Sequence, residues 1–84
     1  MSTLRHAHTV YNYGGRSLTL MYPPDAFGVW EVYDGTRYLG VLVESYVEWQ
    51  ERYTPRRPGA ESSGRHLAMT DDWRSAVMYL VDVA

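Results

Sequence analysis

His6 and His8 stand two residues apart near the start of the chain, the spacing at which two histidines on one strand face could share a metal ion. A third ligand would have to come from His66 or a carboxylate, because the chain contains no cysteine. The pair is therefore read as a solvated terminal pair. His66 is within reach in sequence of Asp71 and Asp72, but no nucleophile elbow surrounds any serine, so no Ser-His-Asp machinery is set up. Gly14-Gly15-Arg16-Ser17 lacks the spacing and the following helix of a phosphate loop. Glu44, Glu48 and Glu51 are read as a solvated face of a small sheet. A chain of 84 residues also has little room for a deep pocket. The expectation is a non-enzymatic protein with no cofactor and no metal site.

What remains is a combination of arginine with aromatic residues. Arg56 and Arg57 fall in a Pro- and Gly-rich stretch, with Arg52 just before it and Arg65 just after. Tyr33, Tyr38 and Trp49 would lie nearby on a sheet. Arginine and tyrosine anchor protein interfaces, and arginine also contacts phosphates. Two binding surfaces are thus expected: Tyr33, Tyr38, Trp49 and Arg52 for a protein partner, or Arg52, Arg56, Arg57 and Arg65 for nucleic acid. The bland alternative is that these arginines only keep the chain in solution.

Composition narrows the choice. The formal net charge is −2, with basic and acidic residues interspersed. That balance provides no polybasic footprint for nucleic acid or for a membrane surface, so a protein partner or a second copy of the chain is favoured over DNA. No apolar run approaches ~20 residues, and residues 1–8 lack an apolar leader core, so a cytoplasmic location is expected. Lysine and isoleucine are absent, while arginine, valine, alanine and glycine are plentiful. This amino-acid composition suggests a GC-rich genome, such as that of an actinobacterium or its phage.

The elements that must position these residues centre on Phe27 to Val43. Asp34-Gly35 is a strong hairpin signal, and its flanks are rich in β-branched and aromatic residues. A loop at Asp34-Gly35 would pair Tyr33 with Thr36 and Trp30 with Leu39. Trp30, Val32, Leu39, Val41 and Val43 would then share the core face, leaving Val29, Glu31, Tyr33, Tyr38 and Leu42 on the other. A slip of one residue would exchange the faces. Gly14-Gly15 marks an earlier hairpin, pairing Tyr13 with Arg16, Tyr11 with Leu18 and Thr9 with Leu20. Pro23-Pro24 ends it.

Residues 39–53 exceed one ordinary strand. Either the chain turns near Glu44-Ser45-Tyr46 and Val47 to Tyr53 form a further strand, or Ser45 and Glu48 make a capping box for a short helix. A meander favours the strand. Thr54 to Gly64 read as a long loop, and Arg65 to Met69 as a short strand. Thr70 is the expected N-cap of a C-terminal helix, with Asp71 and Asp72 in its first turn. Trp73, Ala76, Val77 and Leu80 form its buried stripe.

The run Trp30-Glu31-Val32-Tyr33-Asp34-Gly35, then Leu39-Gly40, a Trp-containing strand and a Thr-capped helix with Ala76 and Val77, resembles small uncharacterised proteins of actinobacteria and their phages. The resemblance covers Gly28 to Ala84 and implies no function. The order of a three-stranded sheet followed by a helix is also similar to the integrase arm-binding DNA modules, which implies a basic sheet face entering a groove. This chain departs from them in carrying Glu31, Glu44 and Glu48 and no lysine.

The reading is one α+β domain over residues 1–84, with residues 1–6 frayed. It is an antiparallel meander of four to six strands with one C-terminal helix across one face. Trp30, Leu39, Val41, Trp73, Val77 and Leu80 are the expected core. The expected role is a small protein-binding module, acting as a regulator or a phage-encoded modulator of a host protein. The alternative is a small DNA-binding domain using the loop arginines.

Overall fold

The structure, a computed structural model, describes residues 8–22, 28–61 and 69–83. Five strands follow one another: β1 (His8–Tyr13), β2 (Arg16–Met21), β3 (Val29–Asp34), β4 (Arg37–Val47) and β5 (Gln50–Arg56). They form one sheet in the order β1-β2-β3-β4-β5, each antiparallel to its neighbour. One helix, α1 (Trp73–Val83), closes the described chain and packs on β4 and β5.

The first hairpin has the expected register. Gly14 and Gly15, both at positive φ, make the turn, so Tyr13 meets Arg16 and Tyr11 meets Leu18. Leu18 and Leu20 are fully buried, while Tyr11 and Tyr13 lean against the same core.

The central hairpin differs from expectation in two linked ways. Its loop is Gly35-Thr36, because Asp34 pairs with Arg37 and Tyr33 with Tyr38. Next, Val32 pairs with Gly40, leaving Leu39 as an extra residue in a β-bulge. The bulge reverses the alternation beyond it. Leu42, expected on the outer face, comes opposite Trp30 and is fully buried in the core cluster. Val41 is also buried, but it sits opposite Glu31 on the far face, outside that cluster. Gly40 makes the bulge possible. Its φ is +134°, and a Cβ there would overlap the Arg56 carbonyl oxygen and come within 3.2 Å of Leu80 Cδ2.

Beyond the bulge, β4 is 11 residues long and takes in Glu44, Ser45 and Tyr46, where the earlier turn was expected. The chain turns at Glu48-Trp49 instead. The strand alternative for this segment holds, with the turn displaced toward the C-terminus. β5 then continues through Thr54, Pro55 and Arg56, all buried, so the loop expected from residue 54 starts at Arg57. Pro55 fits because β5 is an edge strand whose outer side needs no donor there. At Tyr53 that edge is covered: its N–H donates to the Thr70 carbonyl (2.7 Å), and the Thr70 N–H returns a bond (2.9 Å). The frayed segment expected at 1–6 and most of the short strand expected at 65–69 lie outside the described residues.

α1 is capped two residues later than expected. Asp72 Oδ1 accepts the N–H of Arg74 (3.0 Å), while Thr70 Oγ1 accepts the N–H of Asp72 (3.2 Å). Asp72 is thus the N-cap and Thr70 supports it from the preceding turn. Trp73, Ala76, Val77 and Leu80 are the buried stripe; each large side chain so buried contributes about 1.5–3 kcal/mol. The sheet curls until Tyr11 of β1 touches Trp73 edge-on, with ring centroids 5.3 Å apart. Helix α1 therefore bridges both edges of the sheet.

Four of the eight tyrosines belong to the core or pack on it. Tyr53 is fully buried, and Tyr11, Tyr13 and Tyr22 pack against the core. Tyr22 tilts against Trp30 (4.8 Å) and its hydroxyl accepts the Gly28 N–H (2.6 Å).

Candidate functional site

The β4–β5 turn is the most exposed apolar feature of the described chain. Trp49 is 98% exposed, with Tyr46 at 65% and Val47 at 41% beside it. Both turn residues lie in the left-handed region, Glu48 at φ 52° and Trp49 at φ 69°. A two-residue turn of this kind favours Asn-Gly or Asp-Gly, since a side chain at positive φ costs roughly 1–2 kcal/mol. Here neither residue is glycine, and the second is the bulkiest side chain available. Among the described residues nothing repays that cost, because Trp49 is 98% exposed.

Hydrogen bonds line both flanks of the turn. On one face Tyr46 Oη donates to Glu44 Oε2 (3.4 Å), Tyr53 Oη donates to Glu51 Oε2 (3.2 Å), and Trp30 Nε1 donates to Glu44 Oε1 (3.5 Å). On the other, Arg52 Nη2 donates to Gln50 Oε1 (2.6 Å) and Nη1 to the Glu51 carbonyl (3.2 Å). The tip therefore joins an aromatic point to three carboxylates, Glu44, Glu48 and Glu51, and one arginine that is already engaged.

The expected protein-binding set divides between two places. Trp49 and Arg52 belong to this tip. Tyr33 and Tyr38 pair at the opposite end of β4, with ring centroids 5.6 Å apart. Their hydroxyls are committed: Tyr33 Oη donates to Glu31 Oε1 (3.1 Å) and Tyr38 Oη to Glu61 Oε2 (2.8 Å). Burial, and next the bond to Glu61, push the Tyr38 phenol far above the tyrosine range; burial, then Glu31, raise Tyr33. Glu61 is lowered, first by its own backbone N–H and then by Tyr38. The Tyr38 phenol holds its proton more tightly folded than unfolded, so its contribution is complete below the unfolded value near 10 and is lost as pH rises past it. Between about pH 9 and about pH 11 the urea midpoint of the wild type is expected to fall further than that of Tyr38→Phe. Equal falls would remove Tyr38 as the cause.

The described arginines of the nucleic-acid set do not form one surface. Arg52 is at the hairpin tip. Arg56 is 8% exposed at the end of β5, with its Nε lacking a partner among the described residues. Arg57 is exposed and lies with Arg37 at the far end of β4, and Arg65 is outside the described residues. Arg37 and Arg57 line a cleft of about 180 Å³ whose other walls include Tyr38, Leu39, Leu80 and Val83. Neither arginine has an ion-pair partner among the described residues.

No group of three or more His, Cys, Asp or Glu among the described residues is placed to hold a metal ion, and no described helix is long and apolar enough to cross a membrane. Sequence reasoning named Trp49 but placed it inside a strand, because Glu48-Trp49 carries no turn chemistry. The one signal that pointed to a turn here is length: residues 37–56 are too many for one unbroken strand. Comparison with family models, with curated proteins and with solved structures finds no match to this chain.

Proposed function

We propose that this domain is a non-enzymatic protein-binding module that offers the β4–β5 tip to its partner, in keeping with a small regulator or modulator of another protein. One observation carries the reading: a fully exposed tryptophan at a left-handed turn position. Such strain persists where the surrounding structure enforces it, and it concentrates at binding sites. Tryptophan is also the residue type most enriched among interface anchors.

Affinity capture with three forms of the domain tests the reading. The wild type and Tyr33→Ser/Tyr38→Ser are expected to retain the same partner, and Trp49→Gly to lose it. Loss with the tyrosine variant and retention with Trp49→Gly would move the anchor to the tyrosine pair.

The DNA-binding alternative draws no support from the placement of the arginines. Titration into a random duplex at low salt is expected to give no binding. Micromolar binding that weakens steeply as salt rises would instead mark phosphate contacts and reverse the preference.

A further inference from the structure

We propose that the partner taken by the hairpin tip includes a second copy of this chain: the Trp49 tip of one copy seats in the Arg37–Arg57 cleft of another. This inference rests on the tip being a binding element. Its second, independent support is the cleft, which lies at the other end of β4. The strand spans Arg37 to Val47, roughly 30 Å at ~3.3 Å per residue, and the longest extent of the molecule is 35 Å. Tip and cleft thus occupy opposite ends of one molecule.

The two ends match in chemistry. The tip is an indole flanked by Glu48, with Glu44 and Glu51 behind it and Arg52 already engaged. The cleft has an apolar floor of Leu39 and Leu80, both buried, an apolar wall at Val83 and the Tyr38 ring, and two guanidinium groups. Arg37 and Arg57 are exposed and have no ion pair among the described residues. Of the acidic groups nearby, Asp34 is bonded to Arg16 (3.3 Å) and Glu61 to Tyr38 (2.8 Å); Asp82 is exposed on α1. A cavity of ~150 Å³ holds a benzene ring, so an open cleft of about 180 Å³ admits the leading part of an indole. An arginine beside it can lie over the ring face, where cation–π attraction adds to the charge match. The contact is heterologous: each copy uses one surface to bind and a different one to be bound, so assembly continues beyond a dimer unless a ring closes. It is also small, so weak, concentration-dependent association is the form it takes.

Sedimentation of the whole chain, from micromolar to millimolar, tests this. The wild type is expected to gain mass steadily with concentration and to lose that gain in high salt. Trp49→Gly, which keeps the cleft, and Arg37→Gln/Arg57→Gln, which keeps the tip, are each expected to stay monomeric. An equimolar mixture of the two is expected to form dimers and nothing larger, since only one competent contact remains. That mixture also shows that both variants are folded. A wild type that stays monomeric throughout, or either variant associating alone as the wild type does, overturns the proposal. If the wild type is monomeric yet captures a different protein that Trp49→Gly loses, the self-association falls and the binding role of the tip stands.

Discussion

Trp49→Gly is expected to stabilise the domain while abolishing the binding we propose for the hairpin tip. The substitution places glycine at the second position of the Glu48-Trp49 turn, where φ is 69° and a Cβ is unfavourable. It deletes no contact, because Trp49 is 98% exposed. Relief of the strain is worth roughly 1–2 kcal/mol, and the greater freedom of glycine in the unfolded chain takes back about half of that. A net gain of about 0.5–1 kcal/mol raises the melting temperature of a domain this size by roughly 2–8 °C. Thermal unfolding followed by circular dichroism measures it. A variant that melts lower would mean that the indole supports the fold. The paired outcome, more stable and unable to bind through the tip, is the signature of a residue retained for function at a cost in stability.

Gly40→Ala is expected to be the most damaging added methyl among the described glycines. At this bulge the Arg56 backbone and Leu80 of α1 close on the Cα, and φ is +134°. Overpacking of ~1–3 kcal/mol adds to backbone strain of ~1–3 kcal/mol. A loss of about 2–6 kcal/mol is a large fraction of the ~4–13 kcal/mol that 84 residues typically hold. Gly35→Ala is the internal comparison. Its φ is +62°, and nothing lies within 4 Å of the added methyl. Only the strain remains, so a loss of about 1 kcal/mol is expected. Urea unfolding of both variants separates the two effects, and equal losses would show that the close approach at Gly40 is of no consequence.

The contrast between hairpins shows what could be read beforehand. Gly14-Gly15 sets its own register, and the alternation of Tyr11, Leu18 and Leu20 follows from it. α1 was legible for a similar reason: the spacing of Trp73, Ala76, Val77 and Leu80 is a property of the segment alone. Its cap was not, since Thr70, Asp71 and Asp72 can all cap, and the choice was made by the pairing of Thr70 with Tyr53. In the central hairpin the turn chemistry of Asp34-Gly35 was present, but the need to bury Leu42 opposite Trp30 moved the loop by one residue and inserted a bulge. Local preference gave way to packing between strands. At the β4–β5 tip, no favourable local chemistry announces Glu48-Trp49. The Arg and Tyr residues grouped by type were in turn separated by the length of β4, a distance that depended on where that turn falls.

The touch between Tyr11 and Trp73 has a kinetic consequence. Every strand pair in this sheet joins neighbours along the chain, so each hairpin can zip from its own turn, with little loop entropy to overcome. The meeting of Tyr11 with Trp73 joins residues from opposite ends of the described chain. It spans most of the described chain, so it is rewarded late in folding. Interactions formed that late govern how fast the molecule opens, not how fast it forms. The seam where α1 closes the curled sheet is accordingly the latch that sets the lifetime of the native state.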